Sequence, residues 1–173
     1  MMAFRCATCD KWHDALPVFG ADRPDPCYDV PEERRSSDVF LTSDTCVVAD
    51  KFFFVRGCVD IPIVDAEEML SFGVWVSLEE SNFFAFQDCL DEDNRSHIGP
   101  FFGWLCTDIA CYELSPEVKT IVHLRDHGLR PQVEIDPSDC LVGRDQAEGI
   151  TLETALSKLH SMYEANGEPW PES

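Results

Sequence analysis

Positive charge is the first thing this sequence is short of. Against 33 acidic residues it sets 13 Lys and Arg, a formal net charge of −20 over 173 residues. Nucleic-acid affinity comes mainly from Lys and Arg neutralising phosphates, so direct nucleic-acid binding is disfavoured. Anionic membrane surfaces are disfavoured for the same reason. Long apolar runs are missing as well. The longest, FGVWVSL and GPFFGWLC, have the length of core strands and fall well short of the ~20 residues of a membrane span. The opening MMAFRCATCD has no apolar stretch after a basic start, so no secretory leader is expected and a cytoplasmic location is.

Several catalytic fingerprints are absent too. There is no phosphate loop, no dinucleotide fingerprint and no G-x-S-x-G elbow. With 33 carboxylates and no geometry, acid–base pairs are not assignable from sequence. The nine cysteines are an odd number, and a reducing compartment argues further against a closed disulfide framework.

What is present suffices for a core. Apolar residues make up 45% of the chain, with twelve Phe and four Trp among them. The length predicts a single domain over 1–167, with 168–173 as a frayed tail. Residues 1–45 read as an irregular segment, punctuated by Pro17, Pro24, Pro26 and Pro31, with one short helix near PEERRSS. TCVVAD and FFFVRG predict a hairpin turning at Asp50-Lys51. CVDIPIV reads as a further strand after Gly57, ending near Pro62. FGVWVSL is apolar on both faces and predicts a central strand.

Ser77 and Glu80 form a capping-box pattern for a helix through SLEESNFFAFQDCL. LSPEVKTIVHLRDHG predicts another, with Ser115 as N-cap, Pro116 at the first helical position and Gly128 as the stop. PQVEID reads as a short strand. TLETALSKLHSMYEANG predicts the last helix, from Thr151 to Gly167, with Leu152, Ala155, Leu156, Leu159 and Tyr163 on one face. Strands in a consecutive run followed by helices point to an α+β fold, a mostly antiparallel sheet with two or three helices.

One arrangement could carry chemistry. FRCATCDKWH places Cys6 and Cys9 in a C-x-x-C, with His13 shortly after. Such a turn can aim two thiolates at one zinc ion, and His13 is near enough in sequence to join them. The fourth ligand must come from elsewhere. Cys46, at the start of the first long strand, is the first choice and Cys27 the second. A thioredoxin-like redox pair is the competing reading, but that motif follows a strand and opens a helix, and this one lies at the start of the sequence. Plain buried thiols are the third reading, and the default for Cys58, Cys89, Cys106, Cys111 and Cys140.

His123 and His127 share the spacing of a helical metal pair, yet Leu124 stands where a metalloprotease carries Glu. They read as residues of a helix's last turn. DEDNRS resembles the opening of a calcium loop, but Arg95 occupies a ligand position, so it reads as a solvated acidic loop.

Taken in order, FRCATCDKWH, SDTCVV, FFVRGCVDIPI, FGVWVSL and DQAEGI resemble a bacterial family catalogued as domain of unknown function 2199. The resemblance runs from about Phe4 to Ile150. It departs from the family pattern at Asp10, where Gly is usual, and at Asp139-Cys140, in place of a His-Pro pair. It implies a small bacterial cytosolic protein, carries over no catalytic residue, and makes Cys6, Cys9, His13 and Cys46 the positions to test.

Charge and cysteines together predict a zinc-stabilised protein-binding module for a basic protein partner, for instance an immunity-type inhibitor. The alternative is a metal-dependent enzyme, in which Cys6, Cys9 and His13 hold a zinc ion with an open fourth position.

Overall fold

The computed structural model describes residues 16–167, and the backbone alone of 4–5 and 12–13. Two short strands, β1 (Phe4–Arg5) and β2 (Trp12–His13), pair antiparallel with Phe4 opposite His13. The other strands are β3 (Phe19–Gly20), β4 (Val39–Leu41), β5 (Thr45–Val48), β6 (Phe52–Pro62), β7 (Met69–Leu78), β8 (Phe101–Leu105), β9 (Lys119–His123) and β10 (Gln132–Ile135). These eight form one sheet in the order β3-β7-β8-β9-β10-β6-β5-β4. Four α-helices accompany it: α1 (Glu32–Asp38), α2 (Glu80–Asp88), α3 (Leu141–Glu148) and α4 (Leu152–Asn166). The fold is α+β, as the sequence predicts. Most pairings are antiparallel, but β3–β7 and β10–β6 are parallel, so the sheet is mixed.

The sheet closes on itself because β6 also pairs with β7, which makes β6, β7, β8, β9 and β10 a five-stranded barrel. The long β6 makes this possible. One of its edges pairs with β7 from Phe53 to Pro62. The opposite edge is shared: residues Phe52–Val55 pair with β5, and Cys58 meets Gln132 of β10. Gly57 stands at the closure. A Cβ there would lie 2.6 Å from Val133 Cγ2 and 3.0 Å from the Pro131 carbonyl oxygen, while the Cys58 N–H donates to that same oxygen at 2.8 Å. The sequence reading takes Gly57 as a break between two strands. It is instead the point where one continuous strand lets another backbone approach closely.

Val55, Val59 and Ile61 of β6 pack inside with Phe72, Val74 and Val76 of β7, joined by Val122 and Val133. The inside is apolar because successive strand residues point to opposite faces. Phe83 and Phe86 of α2 and Ala155, Leu159 and Met162 of α4 cap the same core. Thr151 caps α4 by accepting from the Thr154 N–H at 3.2 Å, and Gly167 ends it at φ +66°, as the sequence predicts. Among the described residues no helix is long and apolar enough to cross a membrane.

Three sequence expectations need correction. The stretch from Ser115 to Gly128 is not a helix; it contains β9, and Thr120 and Val122 within it and Val118 and Leu124 just outside it are buried alternately with more exposed neighbours. That period of two belongs to a strand, and the β-branched Thr120, Ile121 and Val122 favour it over the Ser-Pro-Glu start signal. Glu79, not Ser77, is the N-cap of α2, because β7 runs on to Leu78. Helix α3, which carries DQAE, has no counterpart in the sequence reading. The proposed tail 168–173 lies outside the described residues.

Candidate functional site

The outer side of the sheet, opposite the core, carries the chemistry. Between Gly20 and Val30 the chain crosses that side and roofs part of it. Phe19 and Gly20 pair with Phe72 and Gly73, and the Trp75 indole N–H donates to the Ala21 carbonyl at 3.0 Å. A turn of 3-10 helix, Asp25–Cys27, follows, its backbone restricted by Pro24 just before it and Pro26 within it. It is tied down by the Asp25 N–H donating to the Cys106 carbonyl at 2.9 Å. This turn delivers Cys27 onto Cys46, Val48, Phe54 and Trp75, which form a second apolar cluster.

Cys46 sits on β5 opposite Phe54. Its sulfur lies 3.6 Å from that of Cys27, and both residues are 0% exposed. Burial, then the contact with Cys27, pushes the Cys46 thiol up to about 12. Burial also raises Cys27, against the Cys46 hydrogen bond and the charges of Arg23 and Arg35. In the absence of a cation both are therefore thiols at neutral pH. Arg35 holds the roof in place, donating from Nε to the Val30 carbonyl at 3.0 Å and from Nη2 to that of Tyr28 at 3.2 Å.

The first and second choices for a fourth ligand thus stand together. Cys6 and Cys9 lie outside the described residues. Of His13 only the backbone is described, paired with Phe4; the C-x-x-C falls in the sequence between those two paired strands.

Beside the sulfur pair, Arg56 sets its guanidinium over the Trp75 ring at 5.7 Å. A Cβ on Gly20 would come within 2.9 Å of Arg56 Nη2, so glycine there leaves room for the guanidinium. Arg56 Nε is buried and has no hydrogen-bond partner among the described residues. Further along β6, Asp60 accepts from Ser71 Oγ at 2.6 Å and from Arg125 Nη1 at 3.1 Å. The sequence reading missed Arg56 and Asp60. The signal was available: FVRGCVDIP places Arg56 and Asp60 four residues apart, on one face of an otherwise apolar strand.

The histidine pair of the sequence reading comes apart. His123 lies on β9 with Nε2 2.7 Å from Glu134 Oε2 of β10, whereas His127 lies in a turn at φ +59°. DEDNRS, read from the sequence as a solvated acidic loop, is anchored through its one arginine. Arg95 is 3% exposed and donates to the carbonyls of Leu90, Arg125 and Leu129 at 3.1, 2.9 and 2.8 Å. Asp126 accepts from the N–H groups of Arg95 and Ser96 and from the Ser96 hydroxyl, which holds its carboxyl below the usual carboxylate range. A second tie, also missed, joins the β8–β9 connection to α3 and α4. Tyr112 donates to Asp145 at 2.8 Å while the Lys158 ammonium sits 3.9 Å above its ring.

Farther across the outer face, Phe102 and Trp104 of β8 stand exposed, their rings edge to face at 5.3 Å.

Comparison with known proteins matches residues 5–150 to the family described as an uncharacterized protein conserved in bacteria, DUF2199. The chain belongs to this family. The DUF2199 match takes in β3 to α3 and the whole barrel, including Cys27, Cys46, Arg56 and Trp75. No curated protein matches the chain, and no solved structure does.

Proposed function

We propose that this DUF2199 chain is a zinc-stapled protein-binding domain for a basic protein partner, an immunity-type inhibitor being the form that suits its charge. The sulfur pair carries the reading. A tetrahedral zinc–thiolate site with Zn–S near 2.3 Å has sulfurs about 3.8 Å apart. A disulfide needs about 2.05 Å. The 3.6 Å between Cys27 and Cys46 is therefore close to a shared-metal spacing and far from a bond. Cys6, Cys9 and Cys46 are the thiolate ligands of this reading. Cys27, the second choice for a fourth ligand, stands in this reading in place of His13. The linker allows it, since the eleven residue steps from Cys9 to Gly20 can span up to about 40 Å. Cys46 at 0% exposure favours a closed structural site over an open catalytic one. The excess of 20 negative charges favours a basic partner by steering it.

The test is metal content of protein purified without added metal. About one zinc per chain is expected in the wild type and in His13→Ala, and loss of zinc in Cys27→Ser, Cys46→Ser and Cys9→Ser. Metal-free wild-type protein whose melting temperature is unmoved by chelator would leave the cysteines as plain core thiols.

A further inference from the structure

We propose that the exposed aromatic pair on the outer wall of the barrel, Phe102 and Trp104, is the docking surface for a basic polypeptide segment. The proposal rests on the protein-binding part of the reading above and is independent of zinc.

The pair is built to stay outside. Alternation along β8 sends Phe101, Gly103 and Leu105 inward and leaves Phe102 47% and Trp104 39% exposed. Gly103 keeps the wall close-packed beneath them, since a Cβ there would lie 2.3 Å from the Ser77 carbonyl oxygen. Register sets Phe102 beside Ile121 and Trp104 between Ser77 and Lys119, so the platform is broad and rigid. Two hollows flank Phe102. One of about 350 Å³ runs past Ile121 to Glu134 and Asp136; another of about 300 Å³ runs past Trp104 to Glu79 and Asn82.

Charge selects the occupant. Glu79, Glu134 and Asp136 rim the two hollows, with Lys119 the one Lys or Arg among the described lining residues and His123 held against Glu134 at 2.7 Å. Asp136 is fixed as an acceptor by Ser138, whose N–H and hydroxyl donate to it at 2.8 and 2.6 Å. Exposed aromatic faces attract Arg and Lys through their ring quadrupoles, and the carboxylates reinforce that attraction. The same rim repels phosphate, which rules against base stacking by a nucleic acid on this platform. A partner cannot add a strand here, because β8 is already hydrogen-bonded to β7 and β9 on both sides. Recognition therefore runs through side chains, an aliphatic group in a hollow and a guanidinium over a ring. Trp is among the residues that most often dominate such contacts.

The experiment titrates the full chain with a fluorescein-labelled peptide of alternating Arg and Leu, read by anisotropy, beside a second peptide with Glu in place of every Arg. The wild type is expected to bind the Arg peptide only, more weakly as salt rises. Phe102→Ala and Trp104→Ala should each weaken binding by at least about fivefold. Glu134→Gln combined with Asp136→Asn should weaken it and flatten the salt dependence. Phe40→Ala, at a still more exposed aromatic on the sheet's edge strand, should leave it unchanged. Backbone amide shifts of the wild type on adding the Arg peptide should cluster at residues 77–79, 102–104 and 134–136, which needs no variant to fold. Absence of Arg-peptide binding overturns the proposal, as does equal weakening by Phe40→Ala or shifts elsewhere. Chelator-treated protein should bind the peptide as before, so failure here and failure of the zinc staple are read separately.

Discussion

Two tryptophans on the same outer side of one sheet meet water in opposite ways. Trp75 is 0% exposed, its indole N–H bonded to Ala21 and its ring packed with Phe54 and both cysteines. Trp104, one strand away on β8, is 39% exposed. Both sit on barrel strands, and both point away from the core. The difference is the segment from Gly20 to Val30, which roofs the first, whereas among the described residues nothing roofs the second. A roof turns an outer face into a second core, able to keep two thiols together and dry. Without one, the same kind of face is a platform for something else.

The largest expected effect tests the roofed side. Trp75→Ala empties a sealed corner and should cost about 3–5 kcal/mol by urea denaturation. The same change at Trp104 should alter stability by no more than about 0.5 kcal/mol. Equal costs at the two positions would mean that the roof contributes little. Next comes buried charge. Arg95→Met removes three donors from the carbonyls of Leu90, Arg125 and Leu129 and should cost roughly 3 kcal/mol, measured by the same titration. Arg34, whose side chain is 64% exposed beside Asp38, should be almost indifferent to the same change.

A smaller effect is a pH dependence to which the roofed side contributes through Cys46 and the β8–β9 connection through Cys111. Cys46 has its folded pKa raised from 9.0 to about 12, and Cys111 is raised to about 11. Above pH 9 the unfolded thiols lose protons that the folded ones keep. Their contribution is fully present below pH 9 and is lost as pH rises through 11 and 12. Metal-free protein should therefore melt at progressively lower temperature over that window. Cys46→Ala should flatten part of the slope, and Trp104→Ala should leave the slope unchanged. Zinc has the opposite sign: its binding must displace the thiol protons, so apparent zinc affinity should climb as pH rises from 6 to 8. A pH-independent affinity would argue that these sulfurs are not ligands.

Much of the fold is legible locally. The β5–β6 hairpin, the central β7, β10, α1 and α4 follow from runs, caps and stops within a dozen residues of one another. Even its turn is written there, though Ala49 and Asp50, at φ +53° and +51°, carry it rather than Asp50-Lys51. Local signals fail where they conflict. At residues 115–128 a Ser-Pro-Glu start and a Gly stop argued for helix while Val118, Thr120, Val122 and Leu124 alternated as a strand. The alternation prevailed because β9 has a partner on each side to hydrogen-bond.

The sequence by itself determined the class of protein: an acidic α+β chain with a wide apolar core, an opening C-x-x-C, and no fingerprint of phosphate or acyl chemistry. Those properties sit in composition and short spacing, which need no folding to read. Only the tertiary structure decided that Cys27 meets Cys46, that Gly57 lets β10 close a barrel against β6, and that Trp75 is sealed while Trp104 is bare. Each depends on segments far apart in the chain arriving side by side. Local pattern tells which way a side chain faces; what covers that face is settled by which backbone reaches it.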